Sequence, residues 1–202
     1  TELSGRPDDE LAIYLHVPFC AKACHYCGCN MLVTRDQGAV PQYLDRVEKE
    51  LERVTAIIGT DRRVAQLHWG GGTPNFLRTD QLKRAVTLLR RNFDLDTDAE
   101  ISLEADPRVG TPEQVRLLRE LGFNRISLGV QDFDPYVQEA IGRNQGEAET
   151  VDLYTYCRDR GFASINLDLI YGLPGQTEET FQATWDNMGD VAVAVMVSAV
   201  SM

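Results

Sequence analysis

The 202-residue sequence lacks three features that would each assign it to a broad class of protein. No apolar run reaches the roughly 18–20 residues of a membrane-spanning helix, so no membrane span is predicted. The start of the chain, TELSGRPDDELA, is polar and acidic, so we expect no secretory or transit peptide and a cytoplasmic protein. Basic residues are few: 20 Lys and Arg against 31 Asp and Glu give a net charge of −11. Nucleic acid is therefore not expected as a partner, because binding phosphates requires a basic face.

Internal repeats, low-complexity segments and a dinucleotide-binding fingerprint are missing as well. The hydrophobic content of 43% and the charged content of 25% are those of an ordinary globular chain. A chain of this length can bury one substantial core. We therefore expect a single domain over residues 1–202, present as a monomer.

Strand-like and helix-like segments alternate along the chain. The strand-like segments are short and apolar, and they cover 11–17, 64–69, 100–105, 125–130, 164–172 and 191–200. The amphipathic segments between them predict helices over 40–58, 79–92, 111–121, 134–141, 147–160 and 177–188. Three threonines stand where helix N-caps are expected, namely Thr79, Thr111 and Thr177.

This alternation predicts an α/β fold in which parallel strands are joined by helical crossovers. Continuous apolar strands also predict that both faces of the sheet are covered. A doubly wound sheet and a partial (β/α)6 barrel of the TIM type both fit the order of elements. Polar or glycine-rich residues follow nearly every strand, at the ends where barrel enzymes build their sites, and this favours the partial barrel.

Four of the five cysteines are crowded into HVPFCAKACHYCGCN (16–30), as Cys20, Cys24, Cys27 and Cys29. Disulfides are disfavoured without a secretion signal, and a thioredoxin-like Cys24–Cys27 pair would leave two cysteines unexplained. A structural zinc module would normally draw a second ligand pair from a distant segment, which the sequence does not offer. Closely spaced thiolates are the ligands of iron–sulfur clusters. Three thiolates would leave one iron of a four-iron cluster open for chemistry, so the spacing favours such a cluster over zinc.

The Cys20-x3-Cys24-x2-Cys27 spacing, with Tyr26 before the third cysteine, resembles the radical SAM superfamily. Further motifs in the same order are similar to those of the oxygen-independent coproporphyrinogen III oxidases. They are YLHVPFC (14–20), CGCN (27–30), HWGGGTPNFL (68–77), ISLEADPR (101–108), ISLGVQDFD (126–134), GRNQ (142–145) and INLDLIYGLPGQT (165–177). Heme-chaperone-like relatives share the first three cysteines but typically lack the fourth, so Cys29 favours the oxidase.

The resemblance implies a [4Fe-4S] cluster held by Cys20, Cys24 and Cys27, with S-adenosyl-L-methionine (SAM) bound at the open iron. It implies an oxidoreductase in which a reducing electron donor drives SAM cleavage to a 5′-deoxyadenosyl radical. The radical would remove hydrogen from a propionate of a tetrapyrrole substrate, and loss of carbon dioxide and one electron would leave a vinyl group. On two propionates this converts coproporphyrinogen III to protoporphyrinogen IX in heme biosynthesis. A heme-binding chaperone is the alternative.

The resemblance further implies that residues at the strand ends bind SAM. The methionine part of SAM would lie against Gly71, Gly72 and Thr73, where glycine lets the backbone approach a ligand closely. Other contacts would be made by Glu104, Gln131, Arg143, Asp168 and Ile170. Asp168 is a candidate from the residues alone, since a carboxylate inside an apolar strand needs a partner. Taken singly, the others would equally suit a turn, a solvated strand end or a packed core.

Tyr14 and Cys29 are the two residues for which the resemblance implies a catalytic role. Tyr14, which would also contact the cofactor, would hydrogen-bond near SAM and the cluster, although its ring would equally suit a packed core. Cys29 would approach the substrate or a second SAM. The fifth cysteine, Cys157, is expected to be a packed thiol on a helix.

The end of the sequence departs from the family pattern after Gln176, and the C-terminal domain that covers the substrate in the family is not recognised. The last strand-like segment is also not followed by a helix. We therefore expect residues 1–202 to be the radical SAM core domain and a fragment of a longer enzyme. Binding of the cofactors is better supported than turnover.

Overall fold

The computed structural model describes residues 9–60, 62–189 and 194–199. Within these residues, strands lie at the six predicted strand segments and helices at the predicted helical ones, and two further short strands that the sequence did not predict follow the first. The strands are β1 (Leu11–Val17), β2 (Phe19–Cys20), β3 (Leu32–Val33), β4 (Arg63–Gly71), β5 (Asp94–Ala105), β6 (Arg125–Gln131), β7 (Ser164–Tyr171) and β8 (Ala194–Ala199). Part of the predicted final strand, 191–193 and 200, lies outside the described residues.

Helices connect the strands of the main sheet. They are α1 (Ala39–Ile58), α2 (Thr79–Asn92), α3 (Pro112–Glu120), α4 (Pro135–Ala140), α5 (Glu147–Asp159) and α6 (Glu178–Gly189). Two 3₁₀ turns, Pro74–Phe76 and Pro107–Val109, follow β4 and β5. Searched along its described residues, the chain has no helix with the length and apolar character of a transmembrane span.

The main sheet has six parallel strands in the order β1-β4-β5-β6-β7-β8. The two short strands β2 and β3 form a separate parallel pair. The strands of the main sheet therefore follow one another in chain order, as in a barrel wall. A doubly wound sheet would instead reverse its strand order at a switch point. The predicted partial barrel is confirmed.

The apolar core lies between the sheet and the helices. Every second strand residue is buried there, and the largest include Leu67, Trp69, Leu103, Ile126 and Leu128. The intervening residues face the inside of the barrel and line a cavity of about 360 Å³; they include Gln66, His68, Glu100, Ser102, Glu104, Arg125, Ser127, Asn166 and Asp168. The strands are therefore not continuously apolar, and the prediction drawn from that, that both faces of the sheet are covered, is wrong for the inner face, which is polar and lines this cavity. Strands such as EISLEA alternate apolar and polar residues, as a strand with one apolar face does.

Two of the three predicted helix N-caps are confirmed. Thr111 Oγ1 accepts a hydrogen bond from Gln114 N at 3.2 Å, and Thr177 Oγ1 accepts one from Thr180 N at 3.2 Å. The prediction for Thr79 is wrong, because this residue is already the first of α2 and Arg78 precedes it as the cap. At this cap, Arg78 N donates a hydrogen bond to the side chain of Gln81, the third residue of α2, at 2.8 Å.

Candidate active site

A cavity of about 320 Å³ opens at the carboxyl ends of β4, β5, β6 and β7. Its wall contains every residue predicted for the site except Tyr14, namely Cys20, Cys24, Cys27, Cys29, Gly71, Gly72, Thr73, Glu104, Gln131, Arg143, Asp168 and Ile170. These residues come from six separate stretches of sequence. The parallel strands bring them together because their carboxyl ends meet at one edge of the barrel.

The four clustered cysteines are free thiols on and beside the connection from β2 to β3. Backbone bonds fix both ends of this connection: Leu32 N donates to Pro18 O at 2.6 Å and Thr34 N to Cys20 O at 2.9 Å. His25 fixes its middle, since its N donates to Ile141 O and its Nδ1 lies 2.9 Å from Ala140 O. The thiols are thus held over the cavity by contacts that do not involve disulfides.

Cys157 lies apart from this group. It is fully buried in the apolar core, and burial raises the pKa of its thiol to about 12. This agrees with its predicted place as a packed thiol on a helix.

The glycines after β4 let the strand end approach the cysteine loop. A Cβ atom on Gly72 would lie 2.8 Å from Phe19 O and 3.0 Å from Cys20 Sγ. Gly71 has a φ of +111°, and a Cβ atom there would meet the His16 ring at 2.7 Å. Next to them, Thr73 Oγ1 lies 3.3 Å from Cys20 Sγ. Any larger residue at position 72 would push the first cysteine out of place.

The arrangement of the thiols can be compared with the needs of the predicted metal groups. No group of three His, Cys, Asp or Glu side chains in the described part of the chain is placed to hold a single metal ion. Zinc requires its ligands to converge on one point at about 2.0–2.3 Å. The thiolates of a four-iron cluster each bind a different iron, so they surround a larger body. Three free thiols around one cavity, with guanidinium groups close by to balance charge, fit the cluster and not the zinc module.

Glu104 stands at the carboxyl end of β5 between the glycines and a histidine that sequence reasoning did not single out. Its Oε2 accepts from Gly71 N at 3.3 Å, and its Oε1 lies 3.3 Å from His68 Nε2. His68 Nδ1 in turn lies 2.8 Å from Ser102 Oγ. The Glu104 carboxylate is therefore fixed from two sides and points towards the strand-end edge. The motif HWGGG contained the signal for His68, which sits two residues before the first glycine.

Tyr14 lies beside the cavity and not in its wall. Its ring stacks on His68, with centroids 5.8 Å apart and an interplanar angle of 20°, and its hydroxyl lies 3.1 Å from His16 Nδ1. The side chain is 56% exposed. The alternative of a ring packed in the core is therefore wrong for Tyr14, since the polar inner face of β1 leaves it open.

Gln131 ends β6 in a strained conformation. Its φ of +71° makes it the one non-glycine residue of the described chain in the left-handed region. Its side chain is buried, and Oε1 has no hydrogen-bond donor within the part of the chain that the structure describes. Strain and an unpaired buried acceptor are both unfavourable, and both are typical of residues kept for a ligand.

Asp168 and Ile170 project from β7 into the same cavity. Ser127 Oγ donates to Asp168 Oδ1 at 2.7 Å and is the hydrogen-bond partner predicted for a carboxylate inside this strand. Burial nevertheless raises the pKa of the Asp168 carboxyl above its usual value. Ile170 packs against a small apolar cluster of Val137, Ile141 and Leu173 with Tyr26, and within this group Ile170 and Tyr26 line the cavity.

Arg143 is buried, with 7% of its surface exposed. Its Nη2 donates to Gly129 O at 2.6 Å, and its Nη1 lies 3.4 Å from Asp106 Oδ2 and 3.6 Å from Cys24 Sγ. Its Nε has no acceptor within the described residues. The guanidinium thus reaches a cysteine of the motif and also lines the cavity where SAM is predicted to bind.

Asp106 and Arg108 are site residues that sequence reasoning missed. Asp106 is 9% exposed and accepts from Arg108 through Nε at 3.0 Å and Nη2 at 2.6 Å. Burial acts to raise the pKa of Asp106, but the Arg108 hydrogen bonds and the charge of Arg143 outweigh it and hold the pKa below its usual value. The signal was the acid–proline–arginine run that follows Glu104 at the end of a strand.

Comparison with known proteins agrees with this geometry. The Radical SAM superfamily matches residues 14–187. The oxygen-independent coproporphyrinogen III oxidase of Salmonella typhimurium is 52% identical over 178 residues, 88% of this chain and 39% of that protein. The enzyme of that name from Escherichia coli is 47% identical over 185 residues, 92% of this chain and 40% of that protein.

A solved structure of coproporphyrinogen III oxidase from Escherichia coli, described as a radical SAM enzyme, superposes with a TM-score of 0.94 and 44% identity. The superposition covers 99% of this chain and 46% of that one. The chain therefore spans about 40% of the length of the curated relatives it matches. The cysteine spacing, the barrel and the strand-end cavity together place it in one family: the chain belongs to the radical SAM superfamily.

Proposed function

We propose that the chain is the radical SAM core of an oxygen-independent coproporphyrinogen III oxidase in heme biosynthesis. It would act as part of a longer enzyme, because its named relatives extend well beyond the matched segment. The substrate class, a tetrapyrrole carrying propionates, follows from the names of those relatives. The motif residue Cys29, exposed at the cavity, supports the oxidase over a heme-binding chaperone.

The observation that carries the proposal is the cavity of about 320 Å³ at the strand ends. Three free cysteines with the spacing of the family and the polar strand-end residues share its wall. The cysteines alone could be explained by a structural zinc site, and the polar residues alone by solvated strand ends. Their meeting in one place is what a cluster and a cofactor bound to it would require.

Each part of the cavity would have a separate task. Cys20, Cys24 and Cys27 would hold a [4Fe-4S] cluster, and its open iron would bind SAM. When bound, these groups supply one electron from a reducing donor and a 5′-deoxyadenosyl radical that removes hydrogen from the substrate. The glycine edge at Gly71 and Gly72 would let the methionine part of SAM lie against the backbone without a side chain intervening.

The strand-end side chains would orient SAM. Glu104 and the unpaired acceptor of Gln131 would take hydrogen bonds from its ammonium and ribose groups, and Asp168 would add a second carboxylate. Arg143 would offer its guanidinium to the SAM carboxylate. Ile170 would cover the adenine, and the apolar cluster behind it would keep water away from the reacting carbon. Tyr14, beside the cavity, would hydrogen-bond near SAM and the cluster. Cys29, exposed at the cavity, would face the substrate or a second SAM.

The experiment that tests the cofactor assignment is anaerobic reconstitution of the chain with iron and sulfide. We expect a brown protein with about four irons and four sulfides per chain. Under dithionite it should cleave SAM to 5′-deoxyadenosine and methionine. Cys20→Ala, Cys24→Ala and Cys27→Ala should each lose the colour, whereas the matched variant Cys29→Ala should keep it.

A colourless chain with one tightly held zinc would contradict the cofactor assignment. The substrate assignment needs its own measurement, because SAM can be cleaved without the true substrate. Coproporphyrinogen III added to the longer enzyme should give protoporphyrinogen IX and carbon dioxide. Heme binding without decarboxylation would instead support the chaperone.

A further inference from the structure

Two guanidinium groups converge on one of the three motif cysteines. Arg108 Nη2 lies 3.9 Å from Cys24 Sγ, and Arg143 Nη1 lies 3.6 Å from the same sulfur. Both arginines also reach Asp106 Oδ2, at 2.6 and 3.4 Å. The sulfur therefore stands at the edge of an arginine–carboxylate–arginine array.

The array is held in place by the turn after β5. Asp106 caps this turn, since its Oδ1 accepts from Arg108 N at 3.0 Å. The Asn75 side chain closes a reciprocal pair with the Asp106 backbone: Asp106 N donates to Asn75 Oδ1 at 2.9 Å and Asn75 Nδ2 donates to Asp106 O at 3.0 Å. Arg108 donates to the Asp106 carboxylate from Nε at 3.0 Å and from Nη2 at 2.6 Å, which holds in place a guanidinium that stays charged in proteins. Arg108 is therefore a fixed positive charge.

The other two motif cysteines have different surroundings. Cys20 Sγ contacts the neutral hydroxyl of Thr73 at 3.3 Å, and Cys27 Sγ accepts from Cys29 N at 3.5 Å. Among the recorded contacts of the described residues, only Cys24 is approached by cationic donors. The environment of the three sulfurs is thus uneven, with the positive charge on one side.

We propose that Arg108 is a positioning residue that sets the reduction potential of the cluster through Cys24. This rests on the proposed function, which supplies the cluster. Reduction adds negative charge to a cluster and its thiolates, so a nearby positive charge and N–H···S hydrogen bonds stabilise the reduced form. Arg108 acts on Cys24 through its charge and its N–H···S contact, and the Asp106 carboxylate partly offsets that charge.

The test is an anaerobic redox titration of the reconstituted chain, followed by the electron paramagnetic resonance signal of the reduced cluster. Arg108→Gln should lower the midpoint potential. We expect about a tenfold smaller equilibrium constant for reduction, which for one electron corresponds to about 59 mV. Arg108→Lys keeps the positive charge, so its midpoint potential should lie between those of wild type and Arg108→Gln. Arg116→Gln is the matched control, because Arg116 pairs with Glu120 on the exposed side of α3 and should leave the potential unchanged.

Asp106→Asn provides a second test with the opposite sign. It removes the carboxylate that neutralises the two arginines, so the midpoint potential should rise. An unchanged potential in Arg108→Gln with full iron content would overturn the proposal, as would a fall in Asp106→Asn. If Arg108→Gln loses its iron, the midpoint potentials of Asp106→Asn and Arg108→Lys test the proposal instead. A rise in the first and a potential at or slightly below that of wild type in the second would support it. Failure of the proposed function would look different, since wild-type chain would then form no cluster or cleave no SAM.

Discussion

Single residues of the site are in states that are unfavourable for a protein without its ligands. Gln131 is held in the left-handed region with an unpaired buried acceptor, and Asp168 is a buried carboxyl with a raised pKa. Neither state contributes to the core. Both are therefore expected to lower the stability of the chain and to be retained for binding.

The variant Asp168→Asn tests whether the buried carboxyl lowers the stability of the chain while serving ligand binding. Burial raises the pKa of the folded carboxyl, so the charged form opposes folding at neutral pH, and this penalty disappears as the pH falls below the unfolded pKa of about 3.9. The variant should be more stable than wild type at pH 7, by about 1 kcal/mol. The gain should vanish near pH 3.5. Urea unfolding of the cluster-free chain at both pH values measures it, and a less stable variant at pH 7 would refute the argument. SAM cleavage by the reconstituted variant should fall.

Gly72→Ala tests the close approach of β4 to the cysteine loop. The added Cβ would lie 2.8 Å from Phe19 O and 3.0 Å from Cys20 Sγ, so the loop must shift. We expect iron content after reconstitution to fall to less than about half, with a loss of stability of about 1–3 kcal/mol. Gly28→Ala is the control, because nothing lies within 4 Å of a Cβ there and its iron content should be unchanged. Equal iron in both variants would show that the contact is not needed.

At the scale of elements, the sequence predicted the strands and helices well because glycine, proline and threonine mark their ends. It failed on the inner face of the sheet, where the run SINLDLI was taken as continuously apolar although Ser164, Asn166 and Asp168 alternate with apolar residues. It also failed on contacts between distant elements. Asp106 and Arg143 are 37 positions apart, and no local sequence pattern indicates that the turn after β5 contacts the loop after α4.

Thr111→Ala tests an element boundary on which the site depends. The Thr111 hydroxyl caps α3, and from this helix Gln114 Nε2 donates to Asn75 O and Leu77 O at 2.9 Å each. Loss of the cap should lower the free energy of unfolding by about 1 kcal/mol. Thr79→Ala is the control and should cost less than about 0.5 kcal/mol, since Thr79 lies inside α2. Equal losses on urea unfolding would show that the cap does not stabilise the protein.

At the scale of the whole molecule, the acidic charge is the dominant long-range term. Because 31 acidic residues face 20 basic ones, the net charge of −11 remains whatever ion pairs form, so repulsion among carboxylates should oppose the compact state. Raising the ionic strength from about 0.01 to 0.2 M should therefore stabilise the chain by roughly 0.5 kcal/mol, because screening shortens the range of that repulsion. Urea unfolding in KCl measures this. A loss of stability with salt would mean that attractive pairs outweigh the repulsion.

The alternation along the barrel strands has an evolutionary consequence. Odd and even positions of β5, β6 and β7 serve separate purposes, one set contacting the helical layer and the other set facing the cavity. Substitutions at inward positions can therefore diversify chemistry while the outward positions keep the fold. Insertion or deletion of one residue within a strand would exchange both sets at once. Such strands should tolerate variation in residue type far better than variation in length.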